Sequence, residues 1–482
     1  MTQAQLLATP KSDEGKQVTR PAYSNAYRIW VVALMFLMML SMYMDRSIVG
    51  ILAQPIKAEF HISDFEIGLL GGLSFAILYM VMGIPIARLA ERRSRVTIIT
   101  VSLIVWSALT GLCGFARSYV QLLLLRVFIG IGESGGGAPS QSLIADYFPP
   151  ERRSTALAFY SIGLPLGGVV GVVVGGLVAQ SFGWRAAFLS VGLPGLVLAL
   201  LIKLTVDEPT RGAQDSEAIR KSAANDPIPS LGSVARYLIR CRSFRYMVLG
   251  SGFSNFASQG IAQFSAAYFM RRFGLSIGEV GLILGMSGGL AAAIGISLGG
   301  LFSDWAARYD KRWYAWMGAI ALTIGGPLSA LGYLQSTWTS AIAILVVAGA
   351  LYPISLGPFL AVTQNLAAPR MRATAGALLG LVTSSLGFGL GPTTTGFLSD
   401  LFAARAFAGT IPFNVACPGG IAPAAATAAL KSSCLAASAA GSQTAIIIAS
   451  FVYVLAGLLF LLSARTLRAD LAAAADPERV WT

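Results

Sequence analysis

The chain has 482 residues, of which 55% are hydrophobic and only 12% charged, with 53 glycines and a mean hydropathy of +0.69. Soluble domains carry about 25% charged residues, so this composition excludes a water-soluble globular protein. A net charge of +13 would suggest nucleic acid only if the basic residues clustered on a soluble face. They fall instead in short connections between apolar runs, the pattern of a membrane protein.

Within an N-terminal tail, 1–27, Met1 to Arg20 is polar and lacks an apolar h-region, so it reads as disordered with no cleavable signal, the first membrane helix serving as the targeting signal. Apolar runs of spanning length, about 20 residues each, follow in two sets of six. The first set lies near 28–52, 65–88, 96–116, 120–147, 155–181 and 185–205, the second near 244–272, 278–302, 313–334, 338–365, 373–401 and 442–465. They predict an all-α membrane protein of twelve transmembrane helices in two pseudo-symmetric six-helix halves, 28–205 and 243–466. A polar linker, 206–242, opens on Asp207-Glu208-Pro209 and joins the halves, an Ala-, Gly- and Ser-rich outer loop occupies 403–441, and 467–482 is a second tail. If the tails, the linker and every second loop share one side, that side holds 26 of the 35 Lys and Arg residues and the other side seven. The positive-inside rule then makes both termini cytoplasmic, which in a bacterium means a multi-pass protein of the inner membrane.

The remaining two basic residues, Arg46 and Arg126, lie inside apolar runs together with Asp45 and Glu133. A charge at the centre of a membrane helix costs roughly 2.5 kcal/mol or more on insertion scales, which makes intramembrane ionisable groups functional candidates. Arg126 and Glu133 are seven residues apart, two turns or about 10 Å along one helix face. If the first and fourth helices line one cavity, all four groups converge there. Asp45 and Glu133, set between burial and arginines, are expected to bind and release a proton. The plainer alternative is a permanent cluster that locks helices or holds an anionic substrate.

The second set of helices has no clear charge of this kind. Its first member carries Asn255, Gln259 and Gln263 at i, i+4 and i+8, a polar stripe, with Phe264 and Tyr268 nearby and Thr383 in the eleventh helix. Tyr43, Ser134, Asn255, Gln259, Gln263, Phe264 and Thr383 are expected to line the substrate cavity. One charged wall facing one uncharged wall suits an amphipathic anion. Asn and Gln that merely bond neighbouring helices, worth about 0.6 kcal/mol each, are the structural alternative.

The halves also echo each other. Pro85-Ile-Ala-Arg-Leu-Ala-Glu91-Arg92-Arg93-Ser-Arg95 after the second helix matches Gly299-Gly-Leu-Phe-Ser-Asp304-Trp-Ala-Ala-Arg308 after the eighth. Pro150-Glu-Arg-Arg-Ser-Thr-Ala156 matches Pro369-Arg-Met-Arg-Ala-Thr-Ala375, and each enters a Gly-rich helix. Halves repeated in parallel, with binding at their interface, form a secondary-transporter architecture. Glu91, Arg92, Arg95, Asp304 and Arg308 are expected to form a cytoplasmic salt-bridge gate between the halves. Cys417 and Cys434, with sixteen residues between them on the outer side, are a disulfide candidate in an oxidising compartment. No cysteine spacing suits a metal, and no cofactor is implied. The sole histidine, His61, is read as a surface residue, and with no nucleophile elbow or phosphate loop the chain is not expected to be an enzyme.

Ala87-Arg-Leu-Ala-Glu-Arg-Arg-Ser-Arg95 resembles the loop signature of the major facilitator superfamily, with Ala and Ser for its two glycines and Glu for its Asp. Arg126-Val-Phe-Ile-Gly130-Ile-Gly132 resembles that family's fourth-helix signature. More narrowly, Tyr43-Met-Asp-Arg46 with Glu133-Ser134 resembles the spinster branch. That resemblance implies transport of a lysophospholipid or sphingoid phosphate by alternating access. The function expected is proton-coupled transport of an amphipathic, lipid-like anion by a monomer in contact with membrane lipids. The alternative is a proton-coupled transporter or exporter of small organic anions or drugs.

Overall fold

The computed structural model describes residues 23–211, 231–367 and 371–474. Most of both expected tails and of the linker's middle lie outside the described residues.

Six helices form each half. In the first, α1 is Asn25–Phe60, α2 is Asp64–Arg92, α3 is Arg95–Cys113, and α4 comprises Tyr119–Ser134 and Gly137–Tyr147. Pro150–Thr205 runs on as α5 and α6 across a bend at Gly183, whose φ of 82° suits a residue without a side chain. In the second half α7 is Arg242–Phe273, α8 is Ile277–Ala307 and α9 is Trp313–Tyr333. There α10 comprises Trp338–Ile354 and Leu356–Leu366. The last two are α11, Arg372–Ser384 continued through a π-helical turn, Ser385–Leu390, into Gly391–Ala406, and α12, Ala428–Ala474. The second helix of each half opens on the same capping box, Ser63 with Glu66 and Ser276 with Glu279. The reciprocal bonds satisfy free N–H groups of the first turn, and their recurrence marks the internal repeat.

One boundary departs from the sequence reading. The stretch 428–441, expected in the outer loop, is the first part of α12, because its alanines favour helix where no proline interrupts them. The connection left, 407–427, is held by the disulfide Cys417–Cys434.

The halves meet at the end of the bundle remote from α1's start, here the far end. Close approach is possible there because the facing residues are small. A β-carbon on Gly176 would lie 2.8 Å from the Ile277 carbonyl oxygen, and one on Gly281 would lie 2.9 Å from that of Val172. Helix α2 bends at Gly72, where a β-carbon would come within 3.0 Å of the Gly389 carbonyl in α11. Toward the near end the halves separate. Gly83 in α2 and Gly376 and Gly380 in α11 face open space, and 137–147, 356–366 and 372–384 pack within their own halves. The space between the halves is thus open toward the termini.

Candidate functional site

A cavity of about 510 Å³ lies midway along the bundle between the halves. Its first-half wall includes Tyr43, Arg46, Phe75 and Arg126, and its second-half wall Gln259, Gln263 and Phe388. Much of the remainder is glycine and aliphatic surface from α5 and α8.

The four charges expected to converge do so as two ion pairs. Arg126 Nη1 donates to Asp45 Oδ2 at 2.9 Å, and Thr110 donates to Asp45 Oδ1 at 2.7 Å. Arg46 Nε donates to Glu133 Oε2 at 2.7 Å. Asp45, Arg126 and Glu133 are 0–1% exposed. In that setting a charge depends on its partner, since uncompensated burial costs several kcal/mol. The pairing is uneven. Both oxygens of Asp45 accept bonds, whereas Glu133 Oε1 and Arg46 Nη2 have no protein hydrogen-bond partner among the described residues. The Arg46 guanidinium sits instead among aromatic faces, 4.8 Å from the Tyr79 ring and 5.0 Å from those of Tyr43, Phe75 and Phe388. Aromatic faces attract a cation through their quadrupole without taking up its N–H groups, so Arg46 keeps a donor for an anion.

Of the residues expected to line the cavity, Tyr43, Gln259 and Gln263 do. Four do not. Asn255 turns to α11 and donates to the Thr383 carbonyl at 2.9 Å, while the Thr383 hydroxyl bonds its own helix. Ser134 bonds back to Ile131, and Phe264 is wholly buried in helix packing. Polar residues four apart on a helix drift by about 40°, which separates Asn255 from Gln263. Thr110, Phe75, Tyr79 and Phe388 gave no signal in sequence, since polar and aromatic residues in apolar runs are ordinary packing residues.

The expected gate is not assembled across the halves. Glu91, Arg92 and Arg308 are exposed at the open near end, and the Asp304 side chain lies outside the described residues. Arg95 is buried and bonded to Asp146 of its own half and to the start of the linker, to Glu208 at 2.8 Å and to the Pro209 carbonyl at 3.0 Å. Glu208 also accepts from Ser94 and from the Val96 N–H. Its carboxyl is pushed up by burial, but these donors outweigh burial and hold it below the usual range. The start of the linker is thereby fastened to the signature loop.

A second ionic cluster, missed in the sequence, crosses the halves at the far end. Asp64 in α2 accepts from Lys57 at 2.5 Å, from Arg271 of α7 twice at 2.7 Å and from Ser399 of α11 at 2.6 Å. Asp400 of α11 accepts from the Asp64 and Phe65 N–H groups, capping the start of α2 from the other half. Lys57 and Arg271, counted in sequence as loop charges, are 2% and 7% exposed. Helix ends look like loops in sequence because apolar runs stop there.

Three comparisons bear on this architecture. The profile of the Major Facilitator Superfamily matches residues 34–392. An MFS-type efflux pump of Mycolicibacterium smegmatis is 34% identical over 360 residues, covering 74% of this chain and 81% of that protein. The sphingosine-1-phosphate transporter SPNS2 of Danio rerio is 29% identical over 232 residues, 48% of this chain and 45% of that one. Among solved structures, a bacterial homologue of the human lysosomal transporter Spinster, in an inward-facing and unoccupied conformation, superposes with a TM-score of 0.82 at 32% identity, covering 93% of this chain and 99% of that one.

Proposed function

Because this chain belongs to the major facilitator superfamily and is a spinster-like transporter, not an enzyme, we propose that it works as a monomer by proton-coupled alternating access on an amphipathic, lipid-like anion. The observation that carries this is the uneven pairing of Arg46 and Glu133 at the cavity wall. Arg46 can hold Glu133 or a solute's anionic head, and a buried carboxylate that loses its cation is relieved by taking a proton. Solute binding and protonation of Glu133 then occur together, with Asp45 and Arg126 fixing the neighbouring charge. The apolar surface of α5 and α8 suits an acyl or sphingoid chain. The resemblance to a sphingosine-1-phosphate transporter supports the lipid class.

The positive-inside pattern puts the termini, and so the open end, in the cytoplasm. Glu91, Arg92, Asp304 and Arg308 would latch the near end in the opposite state, while Arg95 stays with the linker.

The test uses liposomes containing purified protein and a pH dye, with lysophospholipids and sphingoid phosphates added singly. Solute-driven proton flux is expected in the native protein and only background flux with Glu133→Gln or Asp45→Asn. Solute movement without proton flux, untouched by both substitutions, would sink the coupling. The similarity to an efflux pump favours a second reading, export of small organic anions or drugs. Flux driven by such compounds and by none of the lipids would select it.

A further inference from the structure

We infer that Phe388, presented by the π turn of α11, is the residue through which the C-terminal half controls the central charge cluster, and that this turn is the element that switches. Single π turns inside α-helices hold one extra residue and are frequent at functional sites. This one, Ser385–Leu390, lies where α11 borders the cavity and places the Phe388 ring 5.0 Å from the Arg46 guanidinium. The other rings around Arg46 belong to the N-terminal half, so Phe388 is the aromatic contact that crosses.

The turn has its own support. Asn255 donates to the Thr383 carbonyl just before it, and Gln259, which faces the cavity, donates to Asn255 at 3.3 Å. A β-carbon on Gly387 would overlap the Asn255 amide, so glycine there is what lets the amide reach the turn. A polar group in the cavity that takes Gln259 removes the prop from Asn255 and then from Thr383. The turn can then relax to α-helix, moving Phe388 around the axis by up to about 100°, one residue's step. Arg46 would lose its cross-half face and gain freedom to leave Glu133. Two discrete arrangements of one element, biased from both walls, are what coupling between the walls requires. This rests on the chain being a transporter but not on its solute or on proton coupling.

The test reads conformation without solute or pH gradient. Spin labels at Gly83→Cys and Gly376→Cys, both facing open space, report the near-end opening in lipid nanodiscs, with Cys113 and Cys241 replaced by alanine. Phe388→Leu keeps bulk but removes the aromatic face, and should lower the open-to-closed ratio by about tenfold, while Phe388→Tyr leaves it unchanged. Asn255→Ala should act in the same direction, and the double variant should do no more than Phe388→Leu alone. A ratio in Phe388→Leu equal to that of the native protein would overturn the inference, since Phe388 would then only fill space. Effects of Phe388→Leu and Asn255→Ala that multiply would overturn it equally, because the two residues would act independently.

Discussion

At the far end Asp64 accepts four hydrogen bonds, three of them from cations on two helices, whereas at the centre Glu133 accepts one, from Arg46, and its Oε1 has no partner among the described residues. The far cluster joins the two halves, while the central ion pairs lie within one. A carboxylate saturated by two cations and a hydroxyl gains nothing from a proton and has no capacity for another ligand, so it can only fasten. A carboxylate with one cation and one bare oxygen can exchange that cation for a proton. On the function proposed above, equal burial therefore serves opposite ends, decided by how many donors reach the acid and from which half.

The widest break in this comparison should come from Asp64→Asn. It leaves Lys57 and Arg271 buried with Asp400 as the remaining acid of the cluster, and removing one partner of a buried pair costs about 3–5 kcal/mol. That cost falls on the conformation closed at the far end. Spin labels at Arg117→Cys and Ser336→Cys, exposed far-end positions in opposite halves, should move to longer distances as the far end opens. Glu133→Gln should leave these distances nearly unchanged, because Arg46 keeps its aromatic neighbours. Unmoved far-end labels in Asp64→Asn would mean that the glycine contacts alone close this end.

Those contacts give the next effect in size. Gly68 and Gly83 lie on the same helix, but a β-carbon on Gly68 would meet the Pro392 backbone of α11 within contact distance, and one on Gly83 would meet nothing within 4 Å. Gly68→Ala should therefore disfavour far-end closure by about 1–3 kcal/mol, the usual range for overpacking. Gly83→Ala should be neutral or stabilising by up to about 1 kcal/mol, the helix preference of alanine over glycine. Thermal unfolding in detergent with the far-end labels separates the two. Equal effects would contradict a far end closed by small residues.

The central cluster was legible because Asp45, Arg46, Arg126 and Glu133 interrupt long apolar runs, where a charge has no ordinary explanation. The twelve-helix, two-half architecture was legible for the same reason in reverse, since apolar length and loop charge define it. Lys57, Asp64 and Arg271 were not, because each sits where an apolar run ends and resembles a solvated loop charge. Arg95 was expected in a gate between the halves, yet its partners are Asp146 and Glu208, 51 and 113 residues away, a pairing no local pattern encodes. The π turn has no sequence signature beyond its glycines, and the role inferred for Phe388 depends on a register that only packing sets.

A third cluster, Arg95 with Asp146 and Glu208, supplies the smallest and most discriminating change. It is buried at Arg95 but joins the first half only to the start of the linker, not to the second half, so the contrast drawn above predicts that it affects stability and leaves the conformational balance alone. Glu208→Gln removes a charge whose side chain is 31% exposed, and with solvent screening the loss should be about 1 kcal/mol at neutral pH. The folded carboxyl is held below its ordinary value, so its stabilisation is present above the unfolded pKa of about 4.3 and is lost as pH falls through the folded value. Native protein and Glu208→Gln should accordingly differ in unfolding temperature at pH 7 and converge under acid, with the same near-end and far-end label distances at pH 7. A shift of those distances at neutral pH would show that the linker's fastening to the signature loop takes part in switching, and the rule that only clusters spanning both halves set the conformation would fail.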